Sequence, residues 1–548
     1  MNLGGDSKLP THDPVDHRSV SFIGRPFPLA EADAHFSRLR GWGLNCLRLL
    51  TTWEAIAHAG PDCFDEDYLD YFAAISAAAG RAGLRVIVDF HQDVFSRMTG
   101  GDGAPGWAVE AAGLDLAAIG PGDAAWRMAD RHDPADPSSY PQMSWTWNYQ
   151  MPANGILWTL FFAGDRLAPG HRIDGEGAGS FLRRHFFAAQ QALAERLASQ
   201  PWVIGFDVLN EPSRGWIGRS LTERPDRWHG AEPPRPGPAF SPLDALSCAA
   251  GHPTEVPWMV LRLLRGGVVR ERTFTANPGG IRLWRDDIEP PLASIWSREG
   301  GQPRALKPDH FQQLDFERDC LSPFLTEAAR RLHAVRADWL IFCEKDALDA
   351  AVEPGFGGPL PQGAVDGTHW YDLVLLMARR DIWPLGIDPI GRRVGLGSRG
   401  IERVYAGQLQ RIAAGSEASG VPTFIGEFGI PFDLNGRAAY RAWAGGDRSP
   451  RPWRAHVGAL QRMYGALDAL QLSGALWNYT ASNRNDHGDG WNLEDLSVFS
   501  AEQGGRAVAG FCRPYATAIQ GEPEVMRFEP ARRRFTLRWM AEPDIDAP

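Results

Sequence analysis

Residues 202–212 read Trp-Val-Ile-Gly-Phe-Asp-Val-Leu-Asn-Glu-Pro. The run is apolar and rich in Val, Ile and Phe until it stops on Asn210, Glu211 and Pro212. A short run of this composition reads as a buried parallel strand. Proline has no N–H to give to a ladder and restricts the residue before it, so Glu211 closes the strand. Residues 421–429, Val-Pro-Thr-Phe-Ile-Gly-Glu-Phe-Gly, repeat the pattern in kind and end a strand on Glu427. A carboxylate at the C-terminal end of a barrel strand lies where such folds gather their chemistry.

Outward from 202–212, strand and helix patterns alternate in both directions. Upstream lie a helix at 177–199, a strand at 84–90 ending in His91-Gln92-Asp93, a helix at 65–80, a strand at 43–50 carrying Arg48, and a helix at 30–41. Residues 1–10 read as the tail of a first strand and a turn, so short a lead-in that a start further upstream stays open. Downstream come a helix at 309–335, a strand at 338–343 before Glu344, a strand at 364–368 ending in His369-Trp370-Tyr371, and a helix at 400–415. The Glu427 strand, a helix at 453–470 and a strand at 474–478 with Trp477 complete the series. This alternation predicts an α/β chain folded as a (β/α)8 TIM barrel over residues 1–510. Two stretches, 96–175 and 213–308, show little periodicity; loops of that length are usually lids or binding walls. Residues 524–540 predict a β-hairpin, so 511–548 form a small C-terminal β extension, a hairpin or partial β-sandwich that has to pack on the barrel.

Composition excludes some partners. The formal charge of −11, with no basic cluster, argues against nucleic acid or an anionic membrane surface as partner. The apolar runs are too short to span a bilayer. The first residues lack a signal peptide's charged and apolar regions. The six cysteines show no CxxC pair and no zinc spacing, so a metal site is not expected; Cys46 and Cys343 read as small buried thiols. The expectation is a cytoplasmic protein without cofactor. The 21 tryptophans offer flat apolar faces with one donor each, suited to sugar rings or to packing.

Polar or aromatic groups recur at the strand ends: Arg48, His91, Asn210-Glu211, His369-Tyr371, Glu427 and Trp477. Singly each has an ordinary structural explanation; together, at successive strand tops, they point to a site. The set resembles the retaining β-glycosidases of glycoside hydrolase family 5. A finer resemblance is to the endoglycoceramidase-related, glucosylceramidase-like branch, carried by residues 2–8 (Asn-Leu-Gly-Gly-Asp-Ser-Lys), Thr52-Trp53-Glu54, Asp89-Phe-His-Gln-Asp93, 100–105 (Gly-Gly-Asp-Gly-Ala-Pro) and Trp477-Asn-Tyr479.

The resemblance implies Glu211 as acid/base and Glu427 as nucleophile. Arg48 would keep Glu427 ionised, with Tyr371 bonded to it and His369 extending the network. Asn210 would hold the sugar 2-hydroxyl, Lys8, His91 and Asp93 the other hydroxyls of the −1 sugar, and Trp477 its stacking floor. Trp145 and Trp147 are candidate subsite walls. Glu344, Glu54 and Asp89 read as structural carboxylates, Glu344 paired with Lys345 or an arginine.

Residues 255–267 offer Trp258, Met259, Val260, Leu261, Leu263 and Leu264 either as an aglycone groove or as a short helix covering the barrel. The function expected is hydrolysis of a β-glucoside with a hydrophobic aglycone, a small-molecule glycoside or glycolipid, with transient contact with lipid surfaces. Endoglycoceramidase or endo-β-1,4-glucanase activity is the alternative on the same fold, and a non-catalytic carbohydrate- or lipid-binding barrel the alternative of another class.

Overall fold

Strands form where the sequence is apolar on both faces. β1 (Asn2–Leu3), β2 (Cys46–Thr51), β3 (Arg85–Phe90), β4 (Val203–Asp207), β5 (Leu340–Cys343) and β6 (Ala364–Asp366) pair in that order, all parallel. β7 (Phe424–Phe428) and β8 (Ser473–Leu476) form a further parallel pair. Two parallel bridges join the sets: Asp366 with Thr423, and Leu3 with Tyr479, whose N–H donates to the Asn2 carbonyl at 2.9 Å. The eight strands thus close into a (β/α)8 barrel. This computed structural model describes residues 1–11, 16–132, 143–228, 233–262, 267–486 and 488–542.

Each of the first seven strands is followed by at least one helix, among them α1 (Ala32–Gly41), α2 (Glu66–Arg81), α3 (Ala178–Leu197), α4 (Ser322–Val335), α5 (Ala347–Val352), α6 (Gly397–Ala418) and α7 (Arg454–Leu470). α2 shows the logic. Asp65 caps it by accepting from the Tyr68 N–H, and Tyr68, Leu69, Phe72, Ile75 and Ala79 form the buried stripe that a 3.6-residue period produces. α4 is shorter than the expected 309–335. Residues 310–313 make a separate 3-10 turn, whereas 317–321 form a wider π-helical turn that runs directly into α4, a local irregularity that hides the continuity of the helix.

Inside the barrel, Ile87, Phe342 and Val365 pack with Cys46, Ile204 and Phe424 as an apolar plug. Above the plug the lining turns ionic, around Arg48. All six cysteines are unpaired, Cys343 buried and Cys46 half-buried.

The two long insertions hold more regular structure than their sequence suggested. Pro152–Leu167 is a helix buried on nearly every side; a helix that is apolar all round has no polar face, so its periodicity is mute. In the second insertion Gly237–Pro238, Thr254–Arg262 and Gly267–Ala276 form an antiparallel sheet. Trp258, Met259, Val260 and Leu261 therefore lie on a strand rather than a short helix, the β-branched and aromatic content outweighing the apolar run. Leu263 and Leu264 lie outside the described residues. A further, unexpected hairpin, Leu385–Asp388 with Arg393–Leu396, precedes α6. The C-terminal hairpin (Gly521–Glu529 and Arg534–Ala541) lies against α7, where Asp468 accepts from the Phe528 N–H at 3.1 Å. Among the described residues no helix is long and apolar enough to cross a membrane.

Candidate active site

Glu211 and Glu427 stand at the C-terminal ends of β4 and β7, with a carboxyl oxygen of each within 4.8 Å of the other. His369, after β6, lies between them. Its Nδ1 is 2.7 Å from Glu211 Oε1 and 3.4 Å from Glu427 Oε2, and its Nε2 is 2.8 Å from Glu344 Oε1. Tyr371 donates its hydroxyl to Glu427 Oε2 at 2.8 Å, and Tyr149, from the first insertion, reaches Glu211 Oε2 at 3.4 Å. Burial and the facing glutamate push both phenols well above their ordinary range, so each stays a donor.

Glu211 adopts φ 37°, a left-handed conformation that costs a residue with a Cβ about 1–2 kcal/mol. The backbone is held there from both sides. The Glu211 N–H donates to Glu344 Oε2 at 2.9 Å, and Gln92 Nε2 donates to the carbonyls of Asn210 (2.6 Å) and Glu211 (3.0 Å). Such strain persists where the surroundings over-determine it, commonly at functional sites.

Beneath the two glutamates Arg48 spends all five of its N–H donors. Nε bonds Asp207 at 2.8 Å, Nη1 bonds Asn2 (3.1 Å) and Glu427 (2.7 Å), and Nη2 bonds Asn210 (2.8 Å) and Glu344 (3.1 Å). Asp89 adds a contact at 3.1 Å. The ring holds more carboxylates than cations, so it retains protons. Burial, with Asp207 nearby, raises Glu344 well above the carboxylate range; burial opposes a charge on His369, but Glu344 and Glu427 outweigh it and raise the imidazole. Asn210 is fixed at both ends, its Oδ1 accepting from Arg48 and its Nδ2 donating to the Gln92 carbonyl at 2.8 Å, which leaves one amide hydrogen free.

A second cation, Lys8, organises the neighbouring wall. Its Nζ bonds Asp93 at 2.7 Å, stands 3.6 Å from Glu494, and lies 4.6 Å and 3.9 Å from the ring centres of Trp477 and Trp491. The His91 ring stacks on Trp477 at 5.4 Å, and its nitrogens meet Asp89 (2.8 Å) and Asp93 (3.4 Å). Burial opposes a charge on His91, yet the Asp89 carboxylate wins and holds the imidazole up at about 10. Burial also opposes ionisation of Asp93, but Lys8 keeps it below the usual range. Glu494 has no such saturation: burial and its acidic neighbours lift it to about 7, and its Oε2 finds no hydrogen-bond partner among the described residues.

The expected site residues therefore converge with one exception. Trp147 packs edge-on against Trp126 (5.2 Å) and Trp258 (5.1 Å), joining the two insertions, while Tyr149, two residues on, makes the contact with Glu211. Glu344 pairs with Arg48 as expected but not with Lys345, which bonds Glu317 at 2.9 Å. Glu54 is held by Arg97 at 2.8 Å. Sequence reasoning missed Asp207, Glu494 and Trp491. Asp207 hides inside the apolar strand itself; the other two follow β8 in the Gly- and Asp-rich run 486–494, whose only signal is an aromatic and acids beyond a strand end. Two sets of ligand atoms, His91/Asp93/Asp102 and Glu211/His369/Glu427, are close enough to hold a metal; Lys8 and Arg48 already supply positive charge to them.

Residues 10–229 match the model of Cellulase (glycosyl hydrolase family 5). The whole chain aligns at 30% identity with 79% of a glucosylceramidase of Cryptococcus neoformans. The chain belongs to glycoside hydrolase family 5. It is likewise 29% identical over 99% of its length to a glucosylceramidase of Rhizopus delemar, of which 85% is covered. Among solved structures, Cryptococcus neoformans sterylglucosidase 1 superposes with a TM-score of 0.89 at 28% identity, covering 99% of this chain and 85% of that one. As a family 5 member the protein is a glycoside hydrolase on a TIM barrel, with its acidic strand ends on the face where such barrels work.

Proposed function

We propose that the protein is a retaining β-glucosidase acting on glucosides with a lipid aglycone. The observation that carries the reading is the pair of carboxyl groups within 4.8 Å at the ends of β4 and β7. Retaining enzymes hold theirs about 5–5.5 Å apart, whereas inverting enzymes leave about 6.5–9.5 Å for a water.

In this reading Glu211 donates a proton to the glycosidic oxygen while a Glu427 oxygen attacks the anomeric carbon, releasing the alcohol and leaving a glycosyl ester. Glu211 then takes a proton from water, whose oxygen displaces Glu427 and regenerates the starting state. Arg48 and Tyr371 favour ionised Glu427, and His369 holds Glu211 in line. The free amide hydrogen of Asn210 suits the 2-hydroxyl, Lys8, His91 and Asp93 the remaining hydroxyls, and Trp477 the sugar face. Trp147, Trp126 and Trp258 form an aromatic wall at the meeting of the insertions, a place for an apolar aglycone with Met259, Val260 and Leu261 behind it.

The names of the relatives, glucosylceramidase and sterylglucosidase, support a ceramide- or sterol-linked glucose as substrate, with transient contact with lipid surfaces. We read residues 1–510 as one catalytic unit, 96–175 and 213–308 as its walls, and 511–548 as an extension. Six unpaired cysteines suit a reducing, cytoplasmic setting.

The test is hydrolysis of nitrophenyl β-glucoside with a fluoro-glucoside trap. The expected outcome is a covalent glucosyl adduct on Glu427, loss of turnover in Glu211→Gln and Glu427→Gln, and release of β-glucose. Full activity without Glu427, or release of α-glucose, would sink the retaining reading. A panel of glucosylceramide, steryl glucoside, lactosylceramide and cellotetraose then separates this activity from the endo-acting alternatives by the sugar released.

A further inference from the structure

Beyond Tyr371 the chain builds a sheet face that nothing in the described residues covers. In the hairpin Leu385–Asp388/Arg393–Leu396, Leu385 stands opposite Leu396 and Ile387 opposite Val394. Side chains alternate across a strand, so these four share one face. The other face is pressed onto α6 by glycine: a Cβ on Gly386 would come within 2.9 Å of Ile401, and one on Gly395 within 2.3 Å of the Gly400 carbonyl oxygen. With that side fixed, the aliphatic side must point outward. Leu385 is 43%, Ile387 36%, Val394 70% and Leu396 71% exposed, and Trp383 just before them 51%. Contiguous apolar faces of this kind mark interaction surfaces.

Contrary to the expectation of no basic cluster, the surroundings carry the opposite charge to the chain as a whole. Residues 379–403 hold six arginines against Asp381, Asp388 and Glu402, and Asp388 is buried on Arg411 at 2.8 Å. Arg380, Arg392 and Arg399 are exposed, within a protein of net charge −11; Arg393 lies on the α6 side, its Nη1 close to Gly407.

Position completes the case. Helices of the barrel run back against the strands, so the open end of the hairpin, Leu385 and Leu396 at the first turns of α6, lies on the same face as Glu211 and Glu427, while its turn runs along α6 toward Gly407 and Arg411. Leu376, nine residues before the hairpin, packs like Tyr371 against the cluster of Leu50, Trp477 and Leu496.

We propose that this hairpin docks the enzyme onto an anionic lipid surface, its aliphatic face and Trp383 entering the headgroup boundary and its arginines meeting the lipid charges. The proposal rests on the reading that the substrate is a lipid-borne glucoside and names how that substrate is approached. A second copy is a poorer occupant, because pairing the face with itself sets arginine against arginine.

The test measures co-sedimentation of the full chain with glycolipid-free phosphatidylcholine vesicles containing about one third phosphatidylserine. Wild type is expected to bind, less as salt rises. Val394→Asp/Leu396→Asp and Arg380→Glu/Arg392→Glu should each bind about tenfold more weakly. Both should hydrolyse soluble nitrophenyl β-glucoside like wild type, which also certifies their fold, and lose about the same factor on a glucolipid embedded in the vesicles. Equal binding by wild type and the aspartate variant, or no binding by wild type, overturns the proposal. So does a wild-type dimer in sedimentation velocity that the aspartates convert to monomer, which assigns the face to a second copy. Vesicle binding that follows the variants while no glucoside is cleaved upholds the docking surface and counts against the proposed activity alone.

Discussion

Two buried cations divide the site, and they are used differently. Arg48 gives all five N–H groups to fixed partners on β1, β4, β5 and β7 and the loops after them. Lys8 makes one short bond, to Asp93, and meets Glu494 Oε2 only as an ion pair at 3.6 Å, without a hydrogen bond among the described residues. A buried carboxyl oxygen without a hydrogen bond is costly, so this is where a ligand hydroxyl would gain most. The Arg48 ring is a finished framework that sets the two glutamates. The Lys8 wall is unfinished until something with hydroxyls arrives.

The largest expected effect lies on the Arg48 side. Glu427→Gln should lower kcat on nitrophenyl β-glucoside by about 10⁴-fold or more. Glu211→Gln should fall less on this activated leaving group and recover with azide as an external nucleophile, giving a glucosyl azide of retained configuration. Failure of azide to rescue would remove Glu211 from its role.

Next, Arg48→Met should cost about 3–5 kcal/mol in denaturant unfolding, since it strands several buried carboxylates. A loss below about 1 kcal/mol would show that the ring is not a framework and would dissolve the contrast.

A third experiment addresses Glu494 through pH. Its folded-state value of about 7 lies above the ordinary 4.5, so the native state keeps a proton that the unfolded chain has released. Wild type should therefore lose stability as pH rises between those values, by on the order of 1–3 kcal/mol. Glu494→Gln should flatten that slope in thermal melts, and an unchanged slope would show that Glu494 is already ionised and paired.

The smallest effect sharpens the comparison from the ligand side. The same Glu494→Gln variant should raise KM for glucosides about tenfold with kcat nearly intact, the signature of a lost ground-state contact. An unaltered KM would mean that the open oxygen reads no sugar hydroxyl.

Much of this was legible before any coordinates. Strand, helix and strand-end acid can be read locally: the apolar run into Asn210-Glu211-Pro212 needs only proline's missing N–H and the rule that parallel strands are buried. The same holds for Glu427, His91 and His369, whose neighbours in sequence announce a strand end. Three kinds of residue escaped. Asp207 carries no local signal within an apolar strand, because its partner Arg48 is 159 residues away. The helix Pro152–Leu167 was silent because burial on all sides erases periodicity. The exposed hairpin at 385–396 was passed over, since four aliphatics on a strand read as core until α6 is seen to occupy the opposite face.

The sequence by itself determined the eight-fold alternation and the positions of both glutamates, because these follow from local polarity and backbone constraints. Only the tertiary structure decided which charges neutralise one another and which are left open. Coulomb and hydrogen-bond energies depend on distances of a few ångströms between residues hundreds apart in the chain. It also decided that Tyr149 rather than Trp147 reaches Glu211, since the insertions take their shape from packing against each other.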